Sequence, residues 1–209
     1  MKRTPALAAL LLASLALTVP GAARAQEAAA ALTKDPNQVK AGRYRLDPAH
    51  GKITWSLNHL GFSTYYGQFT EVSGDLVLDP KEPGKSSLSV RIGTGSADAL
   101  NEKLNAHLKQ PDFLDVRNFP EATFLSSSVE PTSPTTARVN GTLTLRGVSK
   151  PVSFDATFNQ AGVNPVDKAY SVGFDGWTVI KRSEFGVNAF LPLLGDEVAL
   201  RLEGEFKLQ

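Results

Sequence analysis

The chain has 209 residues, with 22 basic and 21 acidic side chains, a formal net charge of +1, and no cysteine. Near-neutrality without a Lys/Arg cluster leaves no electrostatic footprint for nucleic acid. The absence of cysteine excludes disulfides, thiolate metal centres and a cysteine nucleophile, so a packed core must carry stability.

The N-terminus reads as a targeting segment. Lys2 and Arg3 precede an apolar run from Ala6 to Val19, Pro20 and Gly21 break it, and Ala23-Arg24-Ala25 places small residues where a signal peptidase reads. The run is short for a ~30 Å hydrocarbon core, which favours a cleaved secretory signal over residues 1–25 rather than a membrane anchor. Cleavage removes Lys2, Arg3 and Arg24 and leaves 19 basic against 21 acidic side chains, a weakly acidic mature protein. Residues 26–40 lack a sustained apolar period and contain Pro36, as expected of a flexible lead. The remainder, 41–209, is of a length for one domain.

From there period-2 alternation dominates. In KITWSLNHL, Ile53, Trp55, Leu57 and His59 share one face. Leu88, Val90 and Ile92 do so in SLSVRI, Leu143 and Leu145 in GTLTLRG, and Val152, Phe154, Ala156 and Phe158 in PVSFDATF. The final segment sets Val198, Leu200, Leu202, Phe206 and Leu208 against Arg201, Glu203, Glu205 and Lys207. One dry and one wet face per strand is the signature of antiparallel sheets. Turn signals at 79–85, 131–134 and 159–168 separate the runs, so the pattern predicts about eight to ten short strands in a barrel or sandwich. One segment departs from it. Between Asp98 and Leu108, Leu100, Leu104, His107 and Leu108 recur at helical spacing, with Asp98 placed to cap the start. Composition leaves open whether the interior is filled by its own side chains or hollow.

Three chemistries compete for the candidate functional residues. His50, His59 and His107 would suit zinc, but they fall on separate elements with no paired spacing, which favours isolated core or pocket histidines. A hydrolase would draw on His107 with Asp112 and Asp115, or on Ser183 with Glu184 and Asp196. No nucleophile elbow surrounds Ser183, and PDFLDVRNFP also reads as a capped turn. The third chemistry is apolar binding: all 11 phenylalanines lie beyond residue 40, and ligand pockets are lined mainly by apolar and aromatic side chains.

Four blocks in order, YRLDPAHGKITWSLNHLGFSTYYGQF, HLKQPDFLDVRNFPEATFLSS, GTLTLRGVSKPV and VIKRSEFGVN…GDEVALRLEGEF, resemble the YceI-like family of exported, lipocalin-like proteins. The resemblance spans nearly the whole of 41–209. It implies an all-β fold, an antiparallel eight-stranded β-barrel with one α-helix packed as a lid. It also implies a periplasmic binding, carrier or sequestering protein without catalysis, cofactor or metal, whose ligand is a lipid such as a polyisoprenoid or quinone. The lining residues it suggests, combined with the alternation, are Trp55, Leu57, His59, Phe69, His107, Phe113, Phe124, Phe154, Phe174 and Phe185. Expected partners are the amphiphile itself, transient contact with a membrane surface, and a second copy of the chain in a homodimer. Where the family reads Arg-Asp-x-His-Leu on its helix, this chain has Leu104-Asn105-Ala106-His107-Leu108. The substitution implies that a polar lock is lost or replaced by apolar packing. Gly51 stands where the family has a serine.

Overall fold

The computed structural model describes residues 32–209, so the expected signal segment lies outside the described residues. Eleven strands and one helix follow in chain order. They are β1 (Gly42–Leu46), β2 (Lys52–His59), β3 (Ser63–Phe69), β4 (Val72–Leu78), β5 (Ser87–Gly93), β6 (Ala97–Asp98), α1 (Glu102–Leu108), β7 (Glu121–Pro131), β8 (Thr136–Leu145), β9 (Val148–Val163), β10 (Tyr170–Lys181) and β11 (Glu197–Leu208).

All pairings are antiparallel, and β1-β4-β5-β7-β8-β9-β10-β11 close into a ring through β1 against β11. The expected barrel is therefore an eight-stranded one. Closure leaves no long unpaired margin within that ring. β11 carries two partners along one side: β1 opposite Phe206–Leu208 and β2 opposite Ala199–Glu203. The chain between them bends at Asp47–Gly51, where Gly51 packs on Leu46 closely enough that a Cβ would stand 2.5 Å from a methyl carbon. The same succession takes β3 into β4 and β5 into β6. At one end of the barrel β2, β3 and β6 thus splay from the ring, and α1 with the 109–120 and 182–196 loops fills the space. This is the helix end. The opposite, hairpin end carries the 79–86, 132–135 and 164–169 connections and the segment 32–41.

Inward faces follow the alternation read from the sequence, since successive side chains of a strand point to opposite faces. Along β11 Leu200, Leu202 and Phe206 point in, and along β5 Leu88, Val90 and Ile92 do the same. Three local expectations change. The helix starts at Glu102, not Asp98: Asn101 is its cap, with its side chain accepting from Leu104 N at 3.0 Å. Leu100 sits at φ 56° with 87% exposure, outside the helical face. The turn expected over 159–168 narrows to its second half, because β9 runs to Val163 and pairs with Tyr170–Gly173 of β10. Ladder pairing there overrides the turn preference of Asn and Gly.

Residues 32–40, expected as part of a flexible lead, are seated on the barrel. Thr33 and Ala161 exchange backbone hydrogen bonds of 2.8 and 2.9 Å. Val39 is buried in the core, and the Tyr44 hydroxyl donates to Lys40 O at 2.5 Å. A backbone pair with β9, the burial of Val39, and the hydroxyls of Tyr44 and Tyr170 hold this segment, and none of these is visible in a local pattern.

Candidate functional site

The barrel is hollow. A cavity of about 280 Å³ runs along its interior, at the lower edge of the ~300–1,000 Å³ typical of small-molecule sites. Its deeper wall is formed by Ile53, Val72, Ile92, Phe124, Leu143 and Leu200, and its middle by Phe154, Phe158, Phe174, Leu202 and Phe206. It opens at the hairpin end between Pro80 and Pro83 of the β4–β5 loop and Pro131 to Thr136 of the β7–β8 hairpin. Edge-to-face contacts fix the aromatic wall: Phe124 and Phe154 lie 5.4 Å apart at 61°, and Phe174 lies 6.4 Å from Phe206 at 73°. Such pairs favour defined ring orientations over free rotation.

Polar groups are few. Thr178, in the wall, spends its hydroxyl on Ser153 O at 2.7 Å. Ser86, Ser133, Thr135 and Thr136 gather at the mouth. Lys52, Glu203 and Asp175 border the cavity from a row across β2, β11 and β10. Burial, and then the neighbouring Asp175 carboxylate, raises the Glu203 pKa.

Of the ten residues expected to line a ligand, Phe124, Phe154 and Phe174 are in the cavity wall. Phe185, 1% exposed, packs with Phe124 and Phe154 in the cluster that closes the barrel toward the helix end. Trp55 is buried beyond the wall. Its ring lies across Gly67, where a Cβ would meet the indole at 2.0 Å, and it stacks on Tyr65 at 6.5 Å. Phe69 packs against the main core cluster. Leu57 and His59 continue β2 past Trp55, and the His59 ring lies 5.8 Å from that of Tyr65. His107 and Phe113 meet edge-on at 4.9 Å among the loops outside the barrel. The cavity is also lined by Val139, Val152, Leu200, Leu202 and Phe206, which were not among those ten. Each lay on a predicted inward face or its extension, but nothing local marked its height along the barrel axis.

The competing chemistries separate in space. Each histidine has its own surroundings: His50 Nδ1 contacts Asp47 Oδ2 at 2.8 Å, His59 lies beside Tyr65, and His107 Nε2 contacts Asp112 Oδ2 at 2.9 Å. Ligand atoms of Asp47, His50 and Glu205 fall within 4.8 Å of one another. However, the same Asp47 oxygen also takes Lys207 Nζ at 2.7 Å, which already supplies the positive charge. These hydrogen bonds, from Lys207 first and then His50, hold the Asp47 carboxyl well below the usual range; Asp47 in turn raises His50. Lys207, also bonded to Asp167 at 2.7 Å, is raised. In the loop after α1, both oxygens of Asp115 accept from Asn118 Nδ2, at 3.1 and 3.0 Å. Ser183 donates to Asp196 Oδ2 at 2.8 Å, and its backbone N–H donates to Oδ1 at 2.9 Å. Both arrangements brace loops.

Asn105 corrects the expectation of a missing lock. Its Oδ1 accepts from Ala99 N at 2.7 Å and its Nδ2 donates to Asp98 Oδ1 at 2.8 Å, tying α1 to β6. A neutral amide with both donor and acceptor does here what apolar packing was expected to do.

With this geometry, the chain can be set beside known proteins. The model of the YceI-like domain matches residues 44–206. The UPF0312 protein of Pseudomonas putida strain W619 is 38% identical over 152 residues, covering 72% of this chain and 79% of that protein. Among solved structures, Burkholderia cenocepacia BcnA superposes with a TM-score of 0.70 at 26% identity, over 77% of this chain and 98% of that one. A polyisoprenoid-binding domain from Saccharophagus degradans superposes with a TM-score of 0.60 at 13% identity, over 81% of this chain and all of that one (100%).

Proposed function

The chain belongs to the YceI-like family, and on that premise we propose that it binds one long-chain amphiphile, an isoprenoid or fatty chain, non-covalently inside the barrel. We place it in the periplasm as a carrier or sequestering protein. The observation that carries the reading is the hollow interior, walled almost entirely by Leu, Val, Ile and Phe and open at one end. Each methylene moved from water into such a wall is worth ~0.8 kcal/mol. A long apolar chain therefore binds without a charged anchor even after the cost of ordering it. What the Saccharophagus degradans neighbour is described as binding supports the same ligand class, and the leader pattern over 1–25 supports export. Among the described residues no helix is long and apolar enough to cross a membrane.

Solvent extraction of the purified protein followed by mass spectrometry tests this. The expected result is one lipid class at near-equimolar ratio. Protein that yields no lipid, and that takes up no added polyprenol, quinone or fatty-chain ligand, would overturn the reading. Trp177 is unsuited to report binding because it faces outward on β10 at 48% exposure.

A further inference from the structure

Four of the large apolar side chains that stand in solvent meet at the helix end. Beyond its last pair with β11, Ser56 against Ala199, β2 continues with β3 as a two-stranded hairpin to the His59–Ser63 pair. The 182–196 loop runs beside this hairpin. Leu194 bridges His59, Leu60 N donates to Leu193 O at 3.2 Å, and Gly195 N donates to Asn58 O at 2.9 Å. The two loops therefore form one projecting tip. It presents Phe62 at 89% exposure, and Leu60, Phe190 and Leu193 at 43–61%.

Two properties set this tip apart from an ordinary surface. It is free of formal charge: no Asp, Glu, Lys or Arg occurs from Ile53 to Thr70 or from Val187 to Gly195, although 21% of the whole chain is charged. It is also layered. Behind Leu60 and Phe62 come Ser63, Thr64 and Tyr66 of β3, all exposed. Apolar side chains at the extremity with hydroxyls one step back match the passage from hydrocarbon to headgroups at a bilayer surface, where Tyr rings sit at headgroup level. A ring left in water as Phe62 is adds nothing to the core, and clustered exposed apolar groups mark interaction sites.

The size and shape of the tip select its occupant. At ~200 Å² for a large side chain, the exposed fractions of the four amount to roughly 500 Å². Each partner in a stable protein–protein interface gives up more, ~800 Å². A bilayer needs neither that area nor a matching shape, because each apolar side chain that enters it gains independently. We infer that this tip is a membrane-docking wedge: Leu60, Phe62, Phe190 and Leu193 enter the acyl region of a lipid surface, with Tyr66 at its headgroups. The surface it fits is a neutral one, since the tip offers no Lys or Arg to an anionic headgroup. The mouth of the cavity lies at the opposite end, so docking leaves it unobstructed and does not depend on what the barrel holds.

The test is flotation of the mature protein with phosphatidylcholine vesicles, alongside thermal melting and sedimentation velocity. Wild-type protein is expected to float with the vesicles at low and high salt alike, because no charge is there to be screened. Phe62→Ser combined with Leu193→Ser should lower the partition coefficient by about tenfold or more, with the melting temperature unchanged. Phe190, which packs on His107 and Phe113, is left in place. Trp177→Ser, which removes an exposed ring from the barrel wall, should leave partitioning as it was. In Phe62→Trp the added emission should shift to the blue on vesicles and be quenched by brominated acyl chains. Wild-type protein that stays out of the floating fraction overturns the inference. Partitioning that survives the double substitution, or a Phe62→Trp emission that vesicles leave unmoved, overturns it equally. Self-association that the double substitution abolishes, without vesicle binding, gives the tip to a second copy of the chain and also overturns it.

Discussion

The two ends of the barrel are built on opposite principles. At the helix end most polar groups are paired within the fold and the space is filled, although Trp55 Nε1 and Arg146 Nε are buried without a partner. Arg182, 5% exposed, donates Nε to Gly195 O at 2.8 Å, Nη1 to Val187 O at 2.9 Å and Nη2 to Leu194 O at 3.0 Å. Arg146 bridges the Pro111 and Gly186 carbonyls, and Phe185 closes the apolar floor. At the hairpin end the same strands surround the open cavity, with prolines and hydroxyls at the edge. The concentration of distinctive residues therefore marks the closed end, whereas the open end is made of ordinary aliphatic side chains. In a site for a long apolar chain, the residues that bind need only be apolar and inward-facing. The conspicuous polar residues go where loops must be held together.

Substitutions at the two ends should have separable effects. The largest is expected at the closed end: Arg182→Ala removes the donor from one buried and two part-buried carbonyls and should cost about 3–5 kcal/mol of stability. Urea denaturation measures the loss, and lipid affinity at temperatures where the variant is folded should stay close to wild type. A large drop in affinity there would merge the two regions functionally. At the open end, Ala156→Phe projects a ring into the cavity from β9. Lipid affinity should fall by a factor of about a hundred, equivalent to about 2.7 kcal/mol, while the melting temperature holds or rises because the void is filled. Titration with a polyprenol and a thermal melt on the same sample separate the outcomes. An unchanged affinity would show that the chain is held elsewhere.

Smaller effects follow at the corner between β1 and β2. The Asp47 carboxyl is held low by Lys207 and His50. Its contribution is therefore present above the unfolded carboxyl pKa of ~3.9 and lost as pH falls through the folded value. His50 runs the other way, being raised by Asp47. It contributes fully below its unfolded pKa of ~6.5 and loses that contribution as pH rises through the folded value. Asp47→Asn should cost about 1–2 kcal/mol at neutral pH and flatten the acid limb of the stability profile. A profile identical to wild type would remove the network from the account. The smallest effect is expected for His107→Ala, since the His107–Asp112 pair is 40% and 49% exposed and such pairs are worth about 0–1 kcal/mol. Lipid affinity should be unchanged. This substitution also discriminates against an ester hydrolase: turnover of a hydrophobic ester by the wild type that vanishes in His107→Ala would replace the binding reading with a catalytic one.

The sequence made some of these elements legible and hid others for identifiable reasons. Leu88, Val90 and Ile92, or Leu200, Leu202 and Phe206, announce their inward faces because a half-buried strand alternates at every second residue. Asp98 and Asn101 are both capping residue types, and only backbone geometry selects Asn101. In the sequence, Asn105 reads as the loss of a charged lock. Its function as donor and acceptor appears only once Ala99 N and Asp98 lie against it. The segment 32–40 lacks an apolar period, yet Val39 and Thr33 find partners on strands distant in sequence.

The sequence alone therefore determined the class of fold and its family, because alternation, turn residues and the four ordered blocks are local properties of the chain. The tertiary structure decided that the interior is hollow, which end is open, and that Phe124, Phe154 and Phe174 face the cavity while Trp55, His107 and Phe113 do not. Cavity volume and depth along a barrel axis depend on strand stagger, on bends such as that at Asp47–Gly51, and on which loops fold over each end. Those quantities arise from contacts between residues far apart in the chain, and no window of sequence contains them.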